Sequence, residues 1–113
     1  MADDFVLIAR DREGREVVLE RRVWEKHCVR DHPEVEPYLD AISEVLADPN
    51  VIYESNEEST THLYYRLGAA TGRFKNCYLV VVVRYDLSPA RIMTIYITTE
   101  PSGSIGRILY AKR

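Results

Sequence analysis

Metal-ligand pairs and disulfide frameworks are both missing from this chain. Its three histidines and two cysteines contain no CxxC or HxxxH, the close spacings by which zinc sites usually announce themselves. His27 and His32, five residues apart on a helix, would point about 140° away from each other. Cys28 and Cys77 lie 49 positions apart and read as free thiols in a chain with no export signal. Only five glycines and five prolines occur among 113 residues, which argues against long disorder. Apolar runs are short as well: even YLVVVV stops at Val83, so no membrane span is expected. The N-terminus MADDFVLIAR is acidic where a secretion signal is basic, and Phe5 to Ala9 is too short for its apolar core. A cytoplasmic protein with no membrane partner is the expectation.

What is present suits a single globular domain over residues 1–113. Apolar residues make up 46% and charged residues 29% of the chain, enough for one core without metal or disulfide staples. The net charge of −3 hides a division between halves. Residues 1–60 hold 16 acidic against 7 basic side chains, whereas residues 61–113 hold 8 basic against Asp86 and Glu100. That asymmetry suggests a polyanion-facing side, although a pI near 5.6 argues against strong nonspecific nucleic-acid binding. Accidental segregation on a soluble surface is the plain alternative.

FVLIAR and REVVLE flank the turn-rich DREG, where Gly14 can supply a positive φ, so residues 5–20 read as a β-hairpin. From Arg21 the period changes. Val23, Trp24, His27, Cys28 and Asp31 recur at helical spacing over residues 21–31, and Pro33 disfavours helical geometry at His32. A second helix follows, with Pro33 or Pro37 in its first turn, Glu34 and Glu36 at its positive end, and Tyr38, Leu39, Ile42, Val45 and Leu46 as its buried stripe. ADPN stops it. Four strands come next, VIYE, THLYYRL, NCYLVVVVRY and RIMTIYIT, and GRILYA can add an edge strand. This order predicts an α+β fold: an N-terminal hairpin and two helices on one face of a curved antiparallel sheet of about four strands.

Strand alternation separates the side chains into sets. Leu63, Tyr65 and Leu67, then Leu79, Val81 and Val83, then Met93, Ile95 and Ile97, are expected in the core. His62, Tyr64 and Arg66, then Tyr78 and Arg84, then Thr94, Tyr96 and Thr98, are expected on the open face. Arg66, Arg84, Thr94 and Tyr96, with His62 beside them, have the makings of a phosphodiester site. Arginine binds phosphate bidentately, and the hydroxyls donate hydrogen bonds. A solvated face whose tyrosines shield the sheet is the alternative.

WEKHCVRDHPEV concentrates the remaining chemistry. Cys28, on the Trp24 face, reads as an inert core thiol. His27, with Asp31 one turn later to orient an imidazole, is the pair suited to acid-base work. Its alternative is a histidine satisfied in the core. His32, just before a proline, can simply cap the second helix.

The pieces DREGREVVLERRVWEKHCVRDHPEV, ISEVLADPNVI, YYRL, YLVVVVRY and IMTIYIT, spread from about residue 11 to 98, resemble the phage-associated branch of the barnase-EndoU-colicin-RelE ribonuclease superfamily. The resemblance implies two N-terminal helices against a curved sheet, with RNA on its concave side. It implies metal-independent cleavage without a cofactor and a toxin-like or phage-related setting in which a cognate inhibitor protein is a natural partner. By position, His27, Arg66 and Thr94 would be catalytic, with His32, Arg84 and Tyr96 in support; Asp31 is a supporting residue only through its helical spacing to His27. Cys28 replaces the aliphatic residue, and Ile95 the small residue, that the family pattern has there. A noncatalytic module binding RNA or protein, and a homodimer formed through a sheet edge, are the other readings of the same residues.

Overall fold

The computed structural model describes residues 4–103 and 105–113. Strands β1 (Phe5–Arg10) and β2 (Glu16–Glu20) form the expected hairpin, with Gly14 at φ 85° in its turn. The chain runs from β2 directly into α1 (Arg21–Val23), which continues as a π-helical stretch over Trp24–Val29. Pro33 ends that helix: His32 leaves helical geometry at φ −134°, ψ 70°, as the residue before a proline tends to. The second helical segment opens as a 3-10 helix at Pro33–Ala41, bends at Tyr38 after Pro37, and becomes regular in α2 (Ile42–Ala47). Ile42, Val45 and Leu46 are fully buried, Tyr38 and Leu39 partly so.

Five more strands follow: β3 (Val51–Ser55), β4 (Thr61–Leu67), β5 (Tyr78–Arg84), β6 (Ala90–Thr98) and β7 (Ile105–Ala111). The α+β class is as expected, but the sheet has seven strands in the order β1-β2-β6-β5-β4-β3-β7, where about four were expected. Two joins account for the difference. The N-terminal hairpin enters the main sheet through a short parallel contact, Val17 with Ala90 and Val18 with Arg91, so the sheet is mixed. At the opposite side β7 pairs with β3. No helix among the described residues is long and apolar enough to cross a membrane.

The sheet is packed on both sides at its centre. One face carries Leu79, Val81, Val83, Ile92 and Ile95 against Trp24, Cys28, Val35 and α2. The other carries Leu63, Tyr65, Val80 and Val82, with Tyr53, Tyr78 and Tyr96 around them. Burial on both faces is why β5 reads YLVVVV rather than alternating.

Register corrects two face assignments. Tyr64 pairs with Val81 and Arg66 with Leu79, so His62, Tyr64 and Arg66 lie on the helix-covered face, and Leu63 and Tyr65 lie on the other. The sequence suggested the reverse for this strand. Met93 also leaves the core: a bulge opposite Val82 and Val83 gives its position to Ile92, which is 2% exposed against 43% for Met93.

Candidate functional site

Because β2 meets β6 only at Ala90 and Arg91, the rest of that side of β6 is free of strand pairing among the described residues. The helix that leaves β2 packs along β6 instead. Its buried face holds Trp24 and Cys28, and His27 is exposed. His27 therefore stands at the rim of the sheet rather than inside the core.

There it lines a cavity of ≈ 350 Å³ with Glu20, Arg84, Arg91, Ile92 and Met93. Arg84 and Arg91 are direct cross-strand partners on one face. Each keeps a counter-charge: Arg84 donates from Nε to Asp86 Oδ1 at 2.7 Å, and Arg91 Nε lies 3.4 Å from Glu20 Oε1. The Asp86 carboxylate raises the Arg84 pKa, and the arginine in turn holds that carboxyl below its ordinary value.

Met93 also lines a second cavity of ≈ 450 Å³, floored by Leu63 and Val82 and walled by Thr94, Tyr96, Glu57, Glu58 and residues of the connection after β6. His32 reaches the same strand, its ring 5.8 Å from that of Tyr96 and its Nδ1 3.7 Å from Glu34 Oε2. Tyr96 shares a hydroxyl contact of 3.4 Å with Tyr65. Of the residues singled out in the sequence, His27 and Arg84 thus share one cavity along β6, Thr94 and Tyr96 share the next, and His32 stands beside Tyr96.

Arg66 is not among them. It sits on the opposite face, where Nε donates to Glu44 Oε1 at 2.7 Å and Nη1 donates to the Asp48 carbonyl and carboxylate at 2.6 and 3.0 Å. These bonds tie β4 to α2. The expected convergence of His27, Arg66 and Thr94 consequently fails for Arg66, and Thr94 lines the cavity next to the one that His27 lines. Asp31 is exposed, and no ion pair joins it to His27 among the described residues. His27 lies within the π-helical stretch Trp24–Val29, whose i→i+5 bonds depart from the i,i+4 geometry that the pairing assumed. Cys28 has its thiol pKa pushed up to about 11 by burial, which suits a core thiol.

Sequence reasoning missed Arg91 at the rim and a separate polar cluster beneath the hairpin turn. Asp11, 4% exposed, accepts from the backbone N–H groups of Glu13 and Arg15, from Arg15 Nε at 2.7 Å and from the Tyr85 hydroxyl at 2.8 Å. Tyr85 in turn shares a 2.6 Å hydroxyl bond with Tyr64, and the Arg15 guanidinium lies 4.0 Å from the Tyr85 ring centroid. Burial alone would raise the Asp11 pKa, but the bonds from Tyr85 and Arg15 outweigh it and hold the carboxyl below its usual range. Burial pushes the Tyr64 hydroxyl up to about 12 and lowers the pKa of His62, whose ring lies 4.8 Å from Tyr85. This cluster fastens the hairpin turn to the sheet. Asp11 and Tyr85 are 74 residues apart, so no local signal links them.

Comparison with protein-family models, with curated proteins and with solved structures found no match.

Proposed function

We propose that the β6 rim is the active site of an endoribonuclease that cleaves RNA through attack of the 2'-hydroxyl, without a metal or cofactor. The observation that carries this reading is His27 facing one cavity with the cross-strand arginines Arg84 and Arg91. An imidazole beside two cations is a fit for proton transfer at a phosphodiester. In the proposed reaction His27 takes the 2'-hydroxyl proton, and the 2'-oxygen bonds to phosphorus as the bond to the 5'-oxygen breaks. The departing oxygen takes its proton from water at the open rim. Arg84 and Arg91 offset the charge on the phosphate oxygens, and Thr94 and Tyr96 position the ribose and its flanking group. Arg66 has no part in this scheme, and Arg91 takes the place first given to it.

A second reading is a noncatalytic module of the same fold that binds RNA or a protein. It is favoured by Glu57 and Glu58 on the neighbouring cavity and by Asp86 on Arg84, which reduce the attraction for a polyanion. Incubating the protein with end-labelled RNA in EDTA, beside His27→Ala and an Arg84→Ala/Arg91→Ala double variant, separates the two. Cleavage by wild type that is lost in both variants supports the enzyme. Intact RNA with wild type, or equal cleavage by all three proteins, removes it. RNA retained by wild type without cleavage supports the module.

A further inference from the structure

Met93 is the extra residue of the β6 bulge: pairing passes from Val82 with Thr94 to Val83 with Ile92. Bulges re-aim side chains and recur beside active sites. Here the bulge gives Ile92 the core position and leaves Met93 43% exposed. Its side chain forms a wall common to two cavities of different character. On one side stand His27, Arg84 and Arg91; on the other lie Leu63, Val82 and Thr94. A nucleotide has the same division, with an anionic phosphate joined through its sugar to a flat, apolar-faced base.

We propose that Met93 is the platform on which the base next to the bound phosphate stacks, in the cavity floored by Leu63 and Val82. This rests on the RNA reading and sharpens its substrate class to strands whose bases are unpaired. A flexible, polarisable thioether contacts aromatic faces favourably. Stacking tolerates any base, because every base has a π-face. Bases in an RNA duplex are stacked on one another and cannot be laid on the platform.

The chain has two methionines, Met1 and Met93, so methyl-13C-methionine labelling gives Met93 its own resonance, identified by its loss in Met93→Leu. The probes are a short single strand carrying 2'-deoxynucleotides to prevent cleavage, an abasic strand of equal length, and a blunt RNA duplex. The expected result is an upfield shift of the Met93 methyl with the single strand alone. Met93→Ala then weakens single-strand binding about tenfold, and Met93→Leu restores it. Binding that leaves the Met93 methyl in place, equal shifts with the abasic strand or duplex, or unchanged affinity in Met93→Ala overturns the platform and leaves the RNA reading standing. An upfield shift without cleavage of ordinary RNA by wild type keeps the platform and removes the enzyme. Absence of binding by every strand overturns both.

Discussion

Arg84 and Arg91 lie directly opposite one another on β5 and β6, on the same side of the sheet. Like charges so placed destabilise a strand pair, and Asp86 and Glu20 each supply one of them with a counter-charge. On the proposed function, an anion bound between the two arginines adds to those counter-charges. Inorganic phosphate is therefore expected to stabilise the protein against urea more than chloride does at equal ionic strength. At ten times its dissociation constant the gain is about 1.4 kcal/mol, and Arg84→Ala/Arg91→Ala abolishes it. Equal stabilisation of wild type and double variant would count against an anion site at the rim.

Arg66 supplies the complementary control. Its guanidinium joins β4 to Glu44 and Asp48 on the helix-covered face. Arg66→Ala is expected to lower the melting temperature while leaving RNA cleavage per folded molecule unchanged. Loss of cleavage in a variant that remains folded would return Arg66 to the site and require a different substrate path.

Two groups, the half-buried His62 and the buried Asp11, set the response to acid in separate windows. The folded-state pKa of His62 is depressed below the ordinary 6.5, chiefly by burial and then by the Arg15 charge. Its contribution is thus present above pH 6.5 and lost as pH falls through the folded value. Asp11 is likewise depressed, from 3.8, so its contribution is present above pH 3.8 and lost as pH falls further. Urea midpoints measured from pH 8 to pH 3 should fall in two stages. His62→Gln is expected to flatten the first stage and Asp11→Asn the second. At pH 7 Asp11→Ala should cost about 1–3 kcal/mol, because the Tyr85 hydroxyl, the turn amides and Arg15 lose their shared acceptor.

The cysteines should differ in reactivity. Cys28 is fully buried with a thiol pKa near 11, whereas Cys77 is partly exposed. A chromogenic disulfide reagent at pH 8 is expected to titrate one thiol promptly in the native protein and both in denaturant. Prompt reaction of both thiols in the native state would show that the Trp24–Cys28 side of the helix opens readily.

Much of the fold is legible in residue order because local chemistry decides it. Gly14 alone in its turn can take a positive φ cheaply, and Pro33 disfavours helical geometry at the residue before it. THLYYRL forms the strand Thr61–Leu67, bounded as its β-branched and aromatic residues suggest. The second helix is less regular than its stripe implies, since Pro37 allows a 3-10 segment with a bend at Tyr38 before α2 begins.

Within the site, residue order identified the chemical groups but not all of their relationships. His27, His32, Arg84, Thr94 and Tyr96 could be singled out by residue type and position, and Arg91 could not, since an arginine at the start of a strand carries no signal of its own. Arg66 was misplaced for a physical reason. Tyr64 and Tyr65 are both fully buried, so neither side of β4 is marked as the polar one.

The sequence by itself determined which side chains stand together where a strand is regular, as in β4 and β5, because the two-residue period is a property of the backbone. It also determined where the turns and helix ends fall. Only the tertiary structure decided which face each set occupies, through the pairing of Arg66 with Leu79 and of Thr94 with Val82. It decided as well that one extra residue opposite Val82 and Val83 turns Met93 outward, and that a two-residue parallel contact leaves the edge of β6 to the helix carrying His27. Register and strand order depend on contacts between distant segments, and no local period encodes them.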